Sequence, residues 1–247
     1  MIDFKLNPPP LFEGVSNKDG FDVFVEDQTP LATSSSGISV PFMLAAFGFD
    51  SDEGISTATD GGATAAVAAG GTVLTTSATG TSSARASMQL IGDIDEVEKG
   101  SPIATLWVST STRGTDFQAF FGLGQPGLSG TAYTFTAEHI GFKIIRAASG
   151  DINLYATQGD GVTENASGIL VALATGARTQ LGLCIRVNST TSVDYYYRNG
   201  AGNAWSAATN LTSNMPTTMN MSIGGGVTNA TVASNTVFTL RSASYQY

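Results

Sequence analysis

Residues 178–200 read Arg178-Thr-Gln-Leu-Gly-Leu-Cys-Ile-Arg-Val-Asn-Ser-Thr-Thr-Ser-Val-Asp-Tyr-Tyr-Tyr-Arg-Asn-Gly200. An apolar run (Leu181 to Val187) and a Tyr-rich run (Val193 to Arg198) flank a Ser/Thr turn, and Asn199-Gly200-Ala201 supplies the next turn. In the second run Val193, Tyr195 and Tyr197 point one way while Asp194 and Arg198 point the other, which is the period of a half-buried strand. The pattern continues on both sides. Candidate strands are Ala84 to Ile91, Ile103 to Thr110, Phe117 to Leu123, Ala132 to Thr136, His139 to Ala147, Ile152 to Thr157, Ile169 to Leu173, Met219 to Ile223 and Thr236 to Tyr245. Phe117, Ala119, Phe121 and Leu123 share one face, and Ser149-Gly150-Asp151 breaks two strands as a turn. The expected fold class is all-β, an antiparallel sandwich of meander or Greek-key type.

Ahead of these strands the chain changes character. Residues 1–37 read as an extended N-terminal arm, with Pro8-Pro9-Pro10 favouring polyproline II and six large apolar residues, Phe4, Leu6, Leu11, Phe12, Phe21 and Phe24. A disordered tail is poorer in aromatics, so the arm is expected to dock on the body, on a neighbouring subunit or on a larger particle. Residues 38–247 are expected to form the sandwich. Pro41 makes the apolar run 38–49 an edge strand or a strand start. Two short segments, Ala65 to Ala69 and Thr72 to Thr76, are joined by Gly70-Gly71, a hairpin turn.

The chain of 247 residues is 42% hydrophobic, enough for one main core, but only 13% charged, about half the usual share. Its surface must therefore be covered largely by Ser, Thr, Asn, Gln and Gly, a composition that suits strands and turns over long helices. The formal charge of −9 argues against nucleic acid, which needs a basic track. That charge is uneven. Residues 1–60 carry ten acids against Lys5 and Lys18, while residues 61–247 carry ten acids against nine bases. No charged-then-apolar leader and no membrane-length apolar run is visible, so synthesis in a cytoplasm is expected. The five Asn-x-Ser/Thr sequons follow from composition. The single cysteine, Cys184, is expected to be a small buried hydrophobe, and it excludes an intrachain disulfide.

A reaction centre is hard to assemble from these residues. His139 is the only histidine, follows Glu138 at a strand start, and has no Gly-x-Ser-x-Gly elbow to serve. A glycosidase needs two acids roughly 5–10 Å apart. The acidic clusters Asp50-Ser-Asp-Glu53 and Asp93-Ile-Asp-Glu-Val-Glu98 read instead as polar loops. Asp93, Asp95 and Glu96 offer hard oxygen donors for Ca2+, though without EF-hand order and beside Lys99; Asp151, Asn153 and Asp160 form a weaker second candidate. Tyr196 and Trp205 are candidates for stacking on sugar rings or for a subunit interface.

Several segments in order resemble the concanavalin A-like, laminin-G-like jelly roll of bacteriophage virion proteins. They are Gly61 to Thr76, Ala84 to Leu90, Phe117 to Gly124, His139 to Arg146, Asp151 to Thr157 and the 178–200 pair. The resemblance covers about residues 50–247 and lies in strand order, with no signature motif. It implies an antiparallel jelly-roll β-sandwich, often calcium-bearing, used in capsid decoration, head fibres, tail fibres or glycan binding. The functional expectation is a non-enzymatic virion structural subunit of decoration or head-fibre type, a homo-oligomer such as a trimer, with other virion proteins as partners. The alternative is a tail-fibre module that binds a receptor or a host surface glycan. Neither needs a membrane or nucleic acid.

Overall fold

The structure, a computed structural model, describes residues 43–48, 55–79, 84–90, 103–124, 127–129, 132–147, 150–175, 179–200, 203–217 and 221–246. The chain divides into the units Met1–Phe42 and Met43–Tyr247. The arm expected over residues 1–37, with Phe4, Leu6, Leu11, Phe12, Phe21 and Phe24, lies outside the described residues, as does the Asp93 to Glu98 cluster.

In chain order the strands are β1 Met43–Gly48, β2 Ile55–Asp60, β3 Thr64–Ala68, β4 Gly71–Thr75, β5 Arg85–Leu90 and β6 Ile103–Thr112. Next come β7 Phe117–Gly124, β8 Gly127–Ser129, β9 Ala132–Thr134, β10 His139–Arg146, β11 Ile152–Gly159 and β12 Glu164–Ala166. The series ends with β13 Val171–Leu173, β14 Thr179–Ser189, β15 Ser192–Asn199, β16 Thr209–Leu211, β17 Ile223–Asn229 and β18 Val237–Gln246. No helix occurs among the described residues. Sheet I has the order β16-β15-β14-β6-β18-β4-β3, with β1 also on β18; sheet II has the order β12-β11-β10-β7-β17-β5-β2, with β13 also on β11; β8 and β9 form a separate hairpin. Every pairing described is antiparallel, so the unit is an antiparallel jelly-roll β-sandwich, as the sequence led us to expect.

The alternation read from the sequence sets the core. Phe117, Ala119, Phe121 and Leu123 of β7 are buried and meet residues of sheet I: Phe117 and Phe121 lie 5.7 and 5.3 Å from the Phe238 ring. Phe142 of β10 meets Tyr195 of β15 edge to face at 5.5 Å. Tyr195 also donates its hydroxyl to Thr157 O (3.2 Å) and Gln158 Oε1 (3.0 Å), satisfying a polar atom that would otherwise be costly to bury. On β18 the register shifts between Leu240 and Ser242; residues before the shift pair with β4 and residues after it with β1. That irregularity lets one long strand serve two short neighbours.

Three expectations are corrected. The β3–β4 turn falls on Ala69-Gly70, since Ala68 pairs with Gly71. Gly71 is instead a point of close approach: a Cβ there would lie 2.4 Å from Leu240 O, and its φ of 127° is one that L side chains rarely adopt. Of the strand expected over Met219 to Ile223, residues 219–220 lie outside the described residues; β17 begins at Ile223 and continues through Gly224-Gly225-Gly226, a run that carries no apolar period. Strand β2 was not foreseen because Ser56 to Asp60 are all exposed and carry no apolar alternation.

The glycines of β17 make room for aromatic rings. A Cβ on Gly225 would lie 2.3 Å from the Phe121 ring, and one on Gly226 would lie 2.1 Å from Tyr133 Oη. The Tyr133 hydroxyl is buried and has no hydrogen-bond partner among the described residues. Gly226→Ala is therefore expected to destabilise the fold by ~1–3 kcal/mol through overpacking. Tyr133→Phe loses no hydrogen bond and should be neutral or stabilising. In a chemical-denaturation double-mutant cycle, adding Tyr133→Phe should restore about half or more of the loss caused by Gly226→Ala; strictly additive effects would contradict the contact.

Candidate functional site

Two outer faces carry side chains with chemistry. On sheet I the register aligns Trp107 of β6, Gly182 of β14 and Arg198 of β15 in one row, because Gly182 pairs with both neighbours. Leu181, Leu183 and Ile185 point into the core, so Gly182 and Cys184 face outward by the two-residue period. Trp205 comes from the segment after β15, which is tied back by Ser206 N to Tyr197 O (2.8 Å) and Tyr197 N to Ser206 Oγ (3.1 Å). Its ring sits 6.2 Å from that of Trp107, tilted by 60°, and the Arg198 guanidinium lies 5.4 Å from the Trp107 ring.

Gly182 is the floor of this row: a Cβ there would stand 3.0 Å from Trp205 and 3.1 Å from Trp107. Trp107 and Arg198 are buried, whereas Trp205 and Tyr196 are half-buried. Tyr196 lies one row along, opposite Cys184. The structure thus brings the two sequence-predicted aromatics to the same face. Trp107 and Arg198 were missed as partners, because only the β6–β14–β15 adjacency puts them beside Trp205. The small signal available was a glycine at an outward position in Leu-Gly-Leu.

On sheet II an aromatic cluster covers part of the outer face. Phe120, Tyr133 and Phe135 form a second apolar cluster above it, and His139 meets Phe120 and Phe135 at 5.4 and 5.7 Å. His139 is fully buried: Nδ1 donates to Ala137 O (2.6 Å), and Nε2 lies 3.0 Å from Thr157 Oγ1. Thr157 is in turn 2.6 Å from Glu164, and Lys143 donates to the same carboxylate oxygen at 2.5 Å. The Lys143 ammonium also stands 4.9 Å from the Phe135 ring and 5.5 Å from that of Tyr155. His139, Thr157, Glu164 and Lys143 therefore form a satisfied chain that ties β10, β11 and β12 together. The arrangement binds the sheet and offers no open base.

Burial pushes the His139 pKa down to about 4, against smaller upward contributions from Ala137 O and Glu164, while Lys143 adds to the lowering. Cys184 is fully buried, as expected, and burial lifts its thiol to about 12, out of nucleophilic range at neutral pH.

The second calcium candidate is corrected by the geometry. Asp151 precedes β11 and Asp160 follows it, so extended chain holds them about 30 Å apart. Asp160 instead accepts the amides of Val162 (2.9 Å) and Thr163 (2.7 Å), closing a turn and lowering its own pKa. Among the described residues no three His, Cys, Asp or Glu side chains gather as a metal site.

The strand order is shared with solved structures. The chain is similar to the VIP36 exoplasmic/lumenal domain solved with Ca2+ and Man2 bound, at 10% identity over 78% of this chain and 80% of that one, TM-score 0.53. It is similar to the Emp47p carbohydrate recognition domain, at 10% identity over 85% and 99%, TM-score 0.55. The fold is a lectin-like jelly roll. A protein of unknown function, SO2946 from Shewanella oneidensis MR-1, is also similar, at 13% identity over 90% and 92%, TM-score 0.54. No protein-family model matches the sequence, and no curated protein matches it. Identities this low carry the fold alone.

The buried histidine fixes a pH response. Its folded pKa of about 4 lies below the ordinary 6.5, so the unfolded chain takes up the proton first. This contribution is complete above pH ~6.5 and is lost as pH falls toward about 4, by ~3 kcal/mol in total. Denaturation measured from pH 7 to 4 should show this acid limb, and His139→Gln should flatten it.

Proposed function

We propose that this chain is a non-catalytic carbohydrate-binding module whose contact surface is the Trp205 face of sheet I. The observation that carries the reading is the row Trp107–Gly182–Arg198 capped by a half-buried Trp205, with Tyr196 beside it. A partly exposed indole set on a rigid aromatic and guanidinium base offers a flat apolar face for the C–H side of a sugar ring. The neighbouring Tyr196 hydroxyl is suited to its oxygens. The likeness to domains solved with bound mannose, and to a carbohydrate recognition domain, supports this reading and moves it ahead of the virion-subunit expectation.

The earlier main expectation remains as a second reading. Trp, Tyr and Arg are also the residues enriched at protein interfaces, so the same face suits a subunit contact in a virion or another homo-oligomer. One set of variants separates the two. Glycan-array and calorimetric binding should identify a saccharide ligand, and Trp205→Ala should weaken it by about tenfold or more, with a smaller loss for Tyr196→Ala. Thermal stability close to wild type would show that the fold is kept. A silent array, together with an oligomer that Trp205→Ala dissociates, would favour the interface instead.

A further inference from the structure

We propose that Arg113 and Arg146 form an oxyanion site that receives the carboxylate or sulfate of an acidic saccharide, an inference that rests on the carbohydrate-binding reading. Arg113 directly follows β6 and Arg146 ends β10. Arg146 donates from Nη1 to Gly114 O (2.7 Å) and from Nε to Gly150 O (3.0 Å), which brings it against the residue next to Arg113. Arg113 donates from Nη2 to the Thr179 hydroxyl. Its Nε and Nη1 are buried with no hydrogen-bond partner among the described residues.

The two guanidinium groups are close enough for the charge of one to act on the other, and among the described residues neither is paired with an acid. The carboxylates nearest in sequence are turned elsewhere or exposed: Asp116 is buried and accepts Thr231 N (3.0 Å) and the Thr231 hydroxyl, while Asp151 is exposed. Burial and the charge of Arg146 both lower the Arg113 pKa. A buried cationic donor without an acceptor is costly, and a like charge beside it adds to the cost. An oxyanion between the two relieves both.

The setting is rigid. Gly114 N donates to Thr236 Oγ1 (2.9 Å), Ser234 Oγ donates to Asp116 O (3.2 Å), and a Cβ on Gly114 would lie 2.2 Å from Ser234 Oγ. Arg113 and Arg146 are both half-buried. Thr179, which Arg113 holds, is three residues from Gly182, the floor of the Trp205 row, or about 10 Å along β14. Thr179 has the inward parity of Leu181 while Gly182 faces outward, so an acidic group on a sugar stacked at Trp205 reaches Arg113 around the edge of the sheet.

The experiment has two arms. In the first, the thermal midpoints of the full chain and of Arg113→Gln are compared in sodium sulfate and in sodium chloride of matched ionic strength. Sulfate should raise the wild-type midpoint more than that of the variant, since its general salting-out effect is common to both. In the second, matched neutral and uronate or sulfated saccharides are titrated. Wild type should prefer the acidic form by about tenfold or more, and Arg113→Gln should lose the preference while keeping neutral affinity. Equal sulfate responses in the two proteins, or an acidic preference that survives in Arg113→Gln and Arg146→Gln, would overturn the site. If no saccharide binds at all, carbohydrate binding fails, and the sulfate arm still decides whether an oxyanion site exists.

Discussion

The missing Cβ atoms of a few glycines determine how this sandwich is built. Phe121 lies against Gly225, Tyr133 against Gly226, Phe120 against Gly122 and Gly141, and Trp107 and Trp205 against Gly182; an added Cβ at each would meet its ring at 3.1 Å or less. Glycine is usually a weak strand residue because it packs nothing and loses most conformational freedom. Here the ring lying over it fills the space that a side chain would have taken. Strand β17 then stays fully buried although three of its seven residues are glycines, with Ile223 and Val227 as its apolar side chains in the core. This explains how a chain so poor in charge and so rich in Gly, Ser and Thr closes a core at all.

The two outer faces use this device differently. On sheet II the rings of Phe120, Tyr133 and Phe135 cover part of the outer face, and the Lys143–Glu164–Thr157–His139 chain provides polar pairing beside them. On sheet I one ring of the pair, Trp205, stays half-buried, and an arginine lies against the other, Trp107. The chemistry left partly open to solvent there is aromatic, on Trp205 and Tyr196.

The sequence was most legible where one face of a strand alternates against the other. The inward sets Phe117, Ala119, Phe121, Leu123 and Val193, Tyr195 are buried as their period requires. Legibility failed where burial or exposure is the same on both faces. The glycines of β17 carry no apolar period, and neither do the exposed Ser56 to Asp60 of β2. The candidate site was half visible. Trp205 and Tyr196 announce themselves as aromatics, but Trp107 and Arg198 become their neighbours only through strand order, which single-strand patterns do not contain. The calcium candidate at Asp151 and Asp160 failed for the opposite reason, because nearness in sequence along a strand is distance in space.

The chain has two tryptophans, so its indole N–H region holds two signals that report directly on the Trp107–Trp205 pair. The decisive measurement is a nitrogen-labelled correlation spectrum of the full chain titrated with a bound saccharide. Carbohydrate binding on sheet I predicts that the Trp205 indole signal shifts in a saturable way together with the amides around Gly182 and Arg198. Saturable shifts confined to other residues, with both indole signals unmoved, would contradict it.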